Sequence, residues 1–399
     1  MRRCARTAKE WTYLNRSQEN WPALKKTLAG AALCLIALLG FNPLPGSFAT
    51  PGIAAPSHQA VGRTATHRRI RHSRRRHVRH YWNPWRISSY DDNPGADDNT
   101  EGEDLVVRQA ALQALGRWNG SIVVVDPNDG RILTIVNQKL ALSGGFRPCS
   151  TFKPIVALAA LKNGIITPET RLYVGRRTTI DLTDALAHSN NEFFYKLGEM
   201  VGFRTLARYA HEFGLGERAG LSIPGESPGE FPDVPPVDGG VGDLAYLGKG
   251  IEVTPLQWAA VASAIANGGT LYYLQYPRTR EELQHFEPKV RRRLTDLAAV
   301  IPEVRTGMAA AVAYGTARLA GDAPVQILGK TGTCSEDGAR LGWFLSYSDA
   351  RPQYVVVVLM RGGRLTYGPH AAEIAGRLYK GLQQAGPNEV QETKASLGE

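Results

Sequence analysis

The sequence predicts a fold of the α/β class, in its segregated α+β form: a five-stranded antiparallel sheet flanked by a helical subdomain. Three observations lead there. Two valine- and isoleucine-rich runs, 120–126 and 131–137, flank the turn-forming residues Asn128, Asp129 and Gly130 and read as a hairpin. Three more apolar runs, 327–334, 341–347 and 353–360, follow one another closely and read as an antiparallel meander. Between the two groups, about 150–270 carries mainly helical patterning, and a last helix near 369–385 is expected to pack on the sheet.

The chain before the first strand divides by composition. Residues 1–26 form a basic, cytoplasmic tail with Arg2, Arg3, Arg6, Lys9, Arg16, Lys25 and Lys26. Residues 27–49 hold an uncharged apolar run from Leu28 to Phe41, short for a membrane span and close in length to the core of an export signal. Ser47-Phe48-Ala49 supplies the small residues of a cleavage site. An anchor and a cleaved signal both fit, and the anchor is preferred. Either puts the rest of the chain outside the cytoplasm, because the positive flank stays inside. The expected location is the inner membrane, single-pass, with the folded part periplasmic.

Residues 50–104 read as an unfolded charged linker. Gly62 to His80 is rich in arginine and histidine, and Asp91 to Asp104 is rich in acids. Such blocks hold too few apolar groups to offset the entropy of ordering. The folded domain is assigned to 105–385 and a disordered tail to 386–399. Most of the formal charge of +10 sits before residue 105, so it does not describe a basic face on the domain and gives no support for a nucleic-acid partner. The nine histidines show no zinc spacing, and no metal or cofactor is called for.

Three short patterns carry chemistry. Ser150 and Lys153 stand three residues apart at the start of a helical pattern, so they share a face and the amine can reach the hydroxyl. A serine hydroxyl is a weak nucleophile until a base takes its proton, and a lysine one turn on can be that base. Ser189-Asn190-Asn191 stands before a second helical run, and Lys330-Thr331-Gly332-Thr333 opens a strand of the meander. Each has a plain structural alternative: an N-cap for Ser150 and for Ser189, an exposed edge lysine for Lys330.

Taken in order, S-x-x-K, S-x-N and K-T-G resemble the penicillin-binding transpeptidase and serine β-lactamase superfamily. That association is established for the superfamily and does not follow from spacing. Leu221-Ser222-Ile223-Pro224-Gly225-Glu226 and Gly250-Ile251-Glu252-Val253-Thr254-Pro255-Leu256-Gln257 extend the resemblance, which covers about 105–385 and is specific to the transpeptidase branch.

The resemblance implies D,D-transpeptidation of peptidoglycan stem peptides through a Ser150 ester, with β-lactams as covalent inhibitors. It implies Ser150 as nucleophile, Lys153 as base, Lys330 as the neighbouring cation and Ser189 as proton relay. Asn191 is expected to hold Lys153 and the substrate amide. Thr331, Gly332 and Thr333, with Lys330, are expected to bind the terminal carboxylate. Oxyanion donors are expected from the backbone N–H groups of Ser150 and Thr333. His188 is assigned no part in a triad.

Cys149 replaces the glycine usual in the family before the serine, and Cys334 follows Thr333. Matching cysteines are bridged in class A carbapenem-hydrolysing β-lactamases, so a Cys149–Cys334 disulfide is the expectation, with two buried thiols as the alternative. Competing functions stay open on the sequence. A β-lactamase could use Glu226 or Glu230 to activate water, a D,D-carboxypeptidase shares every motif, and a β-lactam sensor or cell-wall scaffold needs no turnover. Partners in cell-wall synthesis and the membrane itself complete the expected set.

Overall fold

The computed structural model describes residues 85–351 and 353–384. The expected tail 1–26, apolar segment 27–49, stretch 50–84 and tail 386–399 lie outside the described residues. Among the described residues no helix is long and apolar enough to cross a membrane.

In chain order the elements are α1 (Leu105–Leu115), β1 (Gly120–Val125), β2 (Ile132–Val136), α2 (Gln138–Leu142), a 3₁₀ turn (Cys149–Phe152) and α3 (Lys153–Lys162). Then come β3 (Leu172–Tyr173), β4 (Thr179–Ile180), α4 (Leu182–Ala187), α5 (Asn191–Val201), α6 (Phe203–Glu212), α7 (Gly240–Leu247) and α8 (Pro255–Ala266). Next are β5 (Thr270–Tyr272), α9 (Arg280–Gln284), β6 (Val290–Arg293), α10 (Ile301–Ala313) and a second 3₁₀ turn (Arg318–Ala320). The chain closes with β7 (Ile327–Glu336), β8 (Ala339–Ser348), β9 (Val355–Gly362) and α11 (Gly368–Gln384).

The main sheet has the order β2-β1-β9-β8-β7, antiparallel throughout. All five strands fall where the apolar runs put them. Both faces of the central strands are covered, which is why β1 and β9 read as unbroken valine runs rather than as alternating ones. Val123, Val125, Val357, Leu359 and Trp343 pack into the core shared with α3, α5 and α8. Ile122, Val124, Val356, Val358 and Phe344 pack on the other side with α1 and α11. Helix α8 is buried along its whole length, and Thr254 and Gln257 start it with a reciprocal capping box at 3.1 and 2.9 Å. Strand β7 pairs only with β8, so its outer edge is left to the cleft.

One expectation is corrected. The described part of the expected linker, residues 85–104, is folded onto the domain. Tyr90 bridges to Trp118, and Arg86 N donates to Gly338 O at 2.8 Å. The acids that looked like a solvated block turn inward. Glu103, with its side chain fully buried, accepts from Arg108 at 2.8 Å and from Thr134 Oγ1 at 2.6 Å. Asp98 accepts from Arg108 at 3.0 Å and from Gln138 N at 2.7 Å, and Asp104 caps α1. A buried carboxylate is tolerated when paired and hydrogen-bonded, and composition does not report a partner ten residues on. Helices α1 and α10 and the small β5–β6 pair were not foreseen either.

Candidate active site

The nucleophile candidate sits on a tight turn. Pro148 precedes the 3₁₀ turn Cys149–Phe152, and α3 starts at Lys153. A 3₁₀ turn has three residues per revolution, so positions three apart fall on the same side of it, which puts Ser150 and Lys153 on one side of the chain. Neither Ser150 nor any other side chain caps α3, so the capping alternative fails. Cys149 has φ 53°, in the left-handed region. That region costs a residue with a Cβ on the order of 1 kcal/mol or more and suits glycine better. Behind the turn, Gly248 at φ 70° closes α7; a Cβ there would lie 2.3 Å from Pro148 Cγ.

Lys153 is fully buried and its amine is held from three sides. Its Nζ lies 2.8 Å from Ser189 O, 2.7 Å from Asn191 Oδ1 and 3.2 Å from Ser189 Oγ. Asn190, not Ser189, caps α5, accepting from Phe193 N at 2.9 Å. Ser189, at φ 54°, is thereby free to face the lysines. Lys330 reaches the same hydroxyl from the sheet: its Nζ donates to Ser189 Oγ at 2.8 Å and to Thr331 O at 2.9 Å. Ser189 Oγ thus stands between two lysine side chains from α3 and β7.

The electrostatics follow from burial. Among the described residues neither lysine has an ion-pair partner. Burial, and then the nearby charge of Lys330, hold Lys153 well below the ordinary lysine value. Burial alone lowers Lys330 to about 7. Ser189 O and Asn191 Oδ1 can only accept, so they take two N–H bonds of Lys153 in either protonation state.

The rest of the K-T-G strand lines the opposite wall. Thr331 Oγ1 is 2.6 Å from Thr316 Oγ1, and Thr333 Oγ1 accepts from Gly368 N at 2.8 Å. Gly332 lets β7 approach the nucleophile turn: a Cβ there would lie 3.0 Å from Pro148 O. Cys149 and Cys334 are joined by a disulfide with Cα atoms 5.7 Å apart.

Hydrogen bonds join Lys153, Ser189, Asn191 and Lys330, and Ser150 lies on the turn that leads into Lys153, with one difference from the spacing argument. Ser150 Oγ donates to Tyr246 O at 3.4 Å and makes no hydrogen bond with Lys153. Tyr246 had no sequence signal as a partner, because a main-chain carbonyl has no residue type. Glu226 does not face the serine. Its carboxylate accepts from Ala219 N at 2.5 Å and Gly220 N at 3.0 Å within its own loop. Glu230 pairs its backbone with Glu252, and His188 is exposed with its ring against Tyr314.

A serine and two buried lysines meeting at the free edge of an α+β sheet define the serine–lysine class of acyl-transfer domains. The chain belongs to the penicillin-binding protein transpeptidase domain family, whose sequence model matches residues 120–380. Among relatives, it is 28% identical over 294 residues to stage V sporulation protein D of Bacillus subtilis, covering 64% of this chain and 45% of that protein. It is also 28% identical over 337 residues to peptidoglycan D,D-transpeptidase PbpA of Mycolicibacterium smegmatis, covering 64% and 66%. The chain thus spans about half to two thirds of the length of these relatives. Among solved structures, it resembles PBP2 of Pseudomonas aeruginosa in complex with WCK 5153, with TM-score 0.58, 24% identity, and coverage of 71% of this chain and 77% of that one. The D,D-transpeptidase domain of a peptidoglycan glycosyltransferase from Eggerthella lenta gives TM-score 0.56 at 21% identity, covering 71% and 82%.

Proposed function

We infer that the protein is a penicillin-sensitive D,D-transpeptidase that cross-links peptidoglycan through a Ser150 ester. The observation that carries this reading is the Lys153–Ser189–Lys330 chain, at 3.2 and 2.8 Å, beside the serine turn. Rotation of Ser150 brings its hydroxyl to Lys153, whose burial favours the neutral amine, and that amine takes the proton as Oγ bonds to the penultimate D-alanine carbonyl carbon. The N–H groups of Ser150 and Thr333 stabilise the oxyanion, each worth about 3 kcal/mol where such donors have been removed. Ser189 passes the proton from Lys153 to the leaving nitrogen, and the D-alanine amide bond breaks. An amine from a neighbouring stem then attacks the ester and releases Ser150. Lys330, Thr331 and Thr333 bind the terminal carboxylate, whose charge favours the protonated form of Lys330.

The β-lactamase reading finds less support. Rapid ester hydrolysis needs a base aimed at water beside the ester, and the Glu226 carboxylate is occupied by Ala219 and Gly220. We place the domain outside the cytoplasm, tethered by the segment 27–49. The basic flank before that segment and an intradomain disulfide, which an oxidising compartment permits, support this.

The test uses the full-length chain and a penicillin, followed by time-resolved mass spectrometry. One adduct on the peptide containing Ser150, persisting for minutes or longer, is expected, and Ser150→Ala should carry none. Label retained in that variant refutes the assignment. Turnover faster than the sampling time favours a β-lactamase. A stem pentapeptide ending in D-Ala-D-Ala, given with an amine acceptor, then separates cross-linking from hydrolysis to the shortened peptide.

A further inference from the structure

The disulfide ties the nucleophile turn to the substrate strand beside both expected oxyanion donors. Cys149 immediately precedes Ser150, and Cys334 immediately follows Thr333. Other ties run alongside it, among them the Arg147–Glu336 ion pair at 3.7 Å. Trp343 Nε1 donates to Arg147 O at 3.0 Å, and Arg147 N donates to Glu336 Oε2 at 3.1 Å. These two fix residue 147, two positions short of the left-handed residue. Thr151 closes the turn across residue 149, its N–H and Oγ1 both donating to Pro148 O, and the bridge is the tie from β7 to residue 149 itself.

Position 149 needs such a tie. At φ 53° a residue with a Cβ is held where its own preferences disfavour it. Released, the backbone relaxes toward negative φ, and that rotation carries the Cys149–Ser150 peptide with it. The Ser150 N–H and the root of the Ser150 side chain move together, while Lys330, Thr331 and Thr333 stay on β7.

We propose that the Cys149–Cys334 bridge is a positioning element for acyl transfer: it holds the turn at residue 149 left-handed and so keeps the Ser150 and Thr333 N–H groups spaced for one oxyanion. The proposal rests on the Ser150 ester reading and adds redox control to it. Reduction slows formation of the ester and spares non-covalent binding of the carboxylate. Glycine at 149 makes the bridge dispensable, because glycine adopts this φ without steric cost.

The experiment follows acylation of the full-length chain by a fluorescent penicillin over a range of concentrations, before and after treatment with a phosphine reductant. Alkylation and peptide mass spectrometry report the state of Cys149 and Cys334, and circular dichroism reports the fold of each sample. The limiting acylation rate should fall by about tenfold or more on reduction and in Cys334→Ser, the scale of a displaced donor. The half-saturating concentration should stay nearly unchanged. The double variant Cys149→Gly/Cys334→Ser should recover the oxidised wild-type rate and ignore reductant.

A reduced wild type that acylates as fast as the oxidised form overturns the proposal. So does a double variant as slow as Cys334→Ser, or one that is unfolded, since either assigns the bridge to overall stability. No label in the oxidised wild type overturns the ester reading and this proposal with it. Label at a rate indifferent to the bridge overturns this proposal alone.

Discussion

Lys330→Met should make the protein more stable at neutral pH while abolishing its acylation. Lys330 is fully buried, and burial brings it from 10.5 to about 7. Holding the amine there costs the fold about 4 kcal/mol at pH 7, since each pKa unit is worth about 1.4 kcal/mol. The folded-state value lies below the unfolded one, so the folded chain binds fewer protons between about pH 7 and 10.5. Stability from this group is therefore full above 10.5, falls as pH drops through that window, and is lost below about 7. Methionine keeps most of the stem and removes the amine. Ser189 Oγ and Thr331 O each lose a donor, which costs about 1–2 kcal/mol in all. The net gain at pH 7 is about 2–3 kcal/mol, and Lys153, freed of a like-charged neighbour, adds to it. At pH 10 the penalty has shrunk to about 1 kcal/mol and the advantage should vanish. Urea unfolding of the full-length wild type and variant at both pH values measures the difference. A stability difference that does not change between pH 7 and pH 10 refutes the account, because packing alone has no such pH dependence.

Other substitutions probe the remaining parts. Arg108→Ala leaves Glu103 and Asp98 buried without their cation; it should cost about 3–5 kcal/mol and expose residues 85–104 to limited proteolysis. Glu226→Gln should leave the lifetime of the penicilloyl ester unchanged, measured by mass spectrometry, while costing about 1–2 kcal/mol in the loop it holds. Gly248→Ala puts a methyl 2.3 Å from Pro148 Cγ at a left-handed φ; it should cost about 1–3 kcal/mol in thermal unfolding and slow penicillin acylation by pushing on the serine turn.

The residue pattern alone specified the sheet, since valine runs long enough to be buried on both faces leave few other structures open to 120–125 and 355–362. It also put Ser150 and Lys153 on one face of a helix start and Lys330 on a strand, since those placements depend only on near neighbours, while the roles expected of them came from the family resemblance. What acts across distance was not legible there. Residues 91–104 looked like a solvated acidic block until Arg108 and the main chain around β2 supplied partners for Asp98 and Glu103. Ser189 and Asn190 compete for the same capping role, and packing against two lysines decided which of them caps α5. Only the tertiary structure gave Lys330 its value of about 7, because desolvation depends on every atom that excludes water. The left-handed backbone at Cys149 is of the same kind: the residue type argues against it, and the turn sits where a bond joins it to a strand residue 185 positions away.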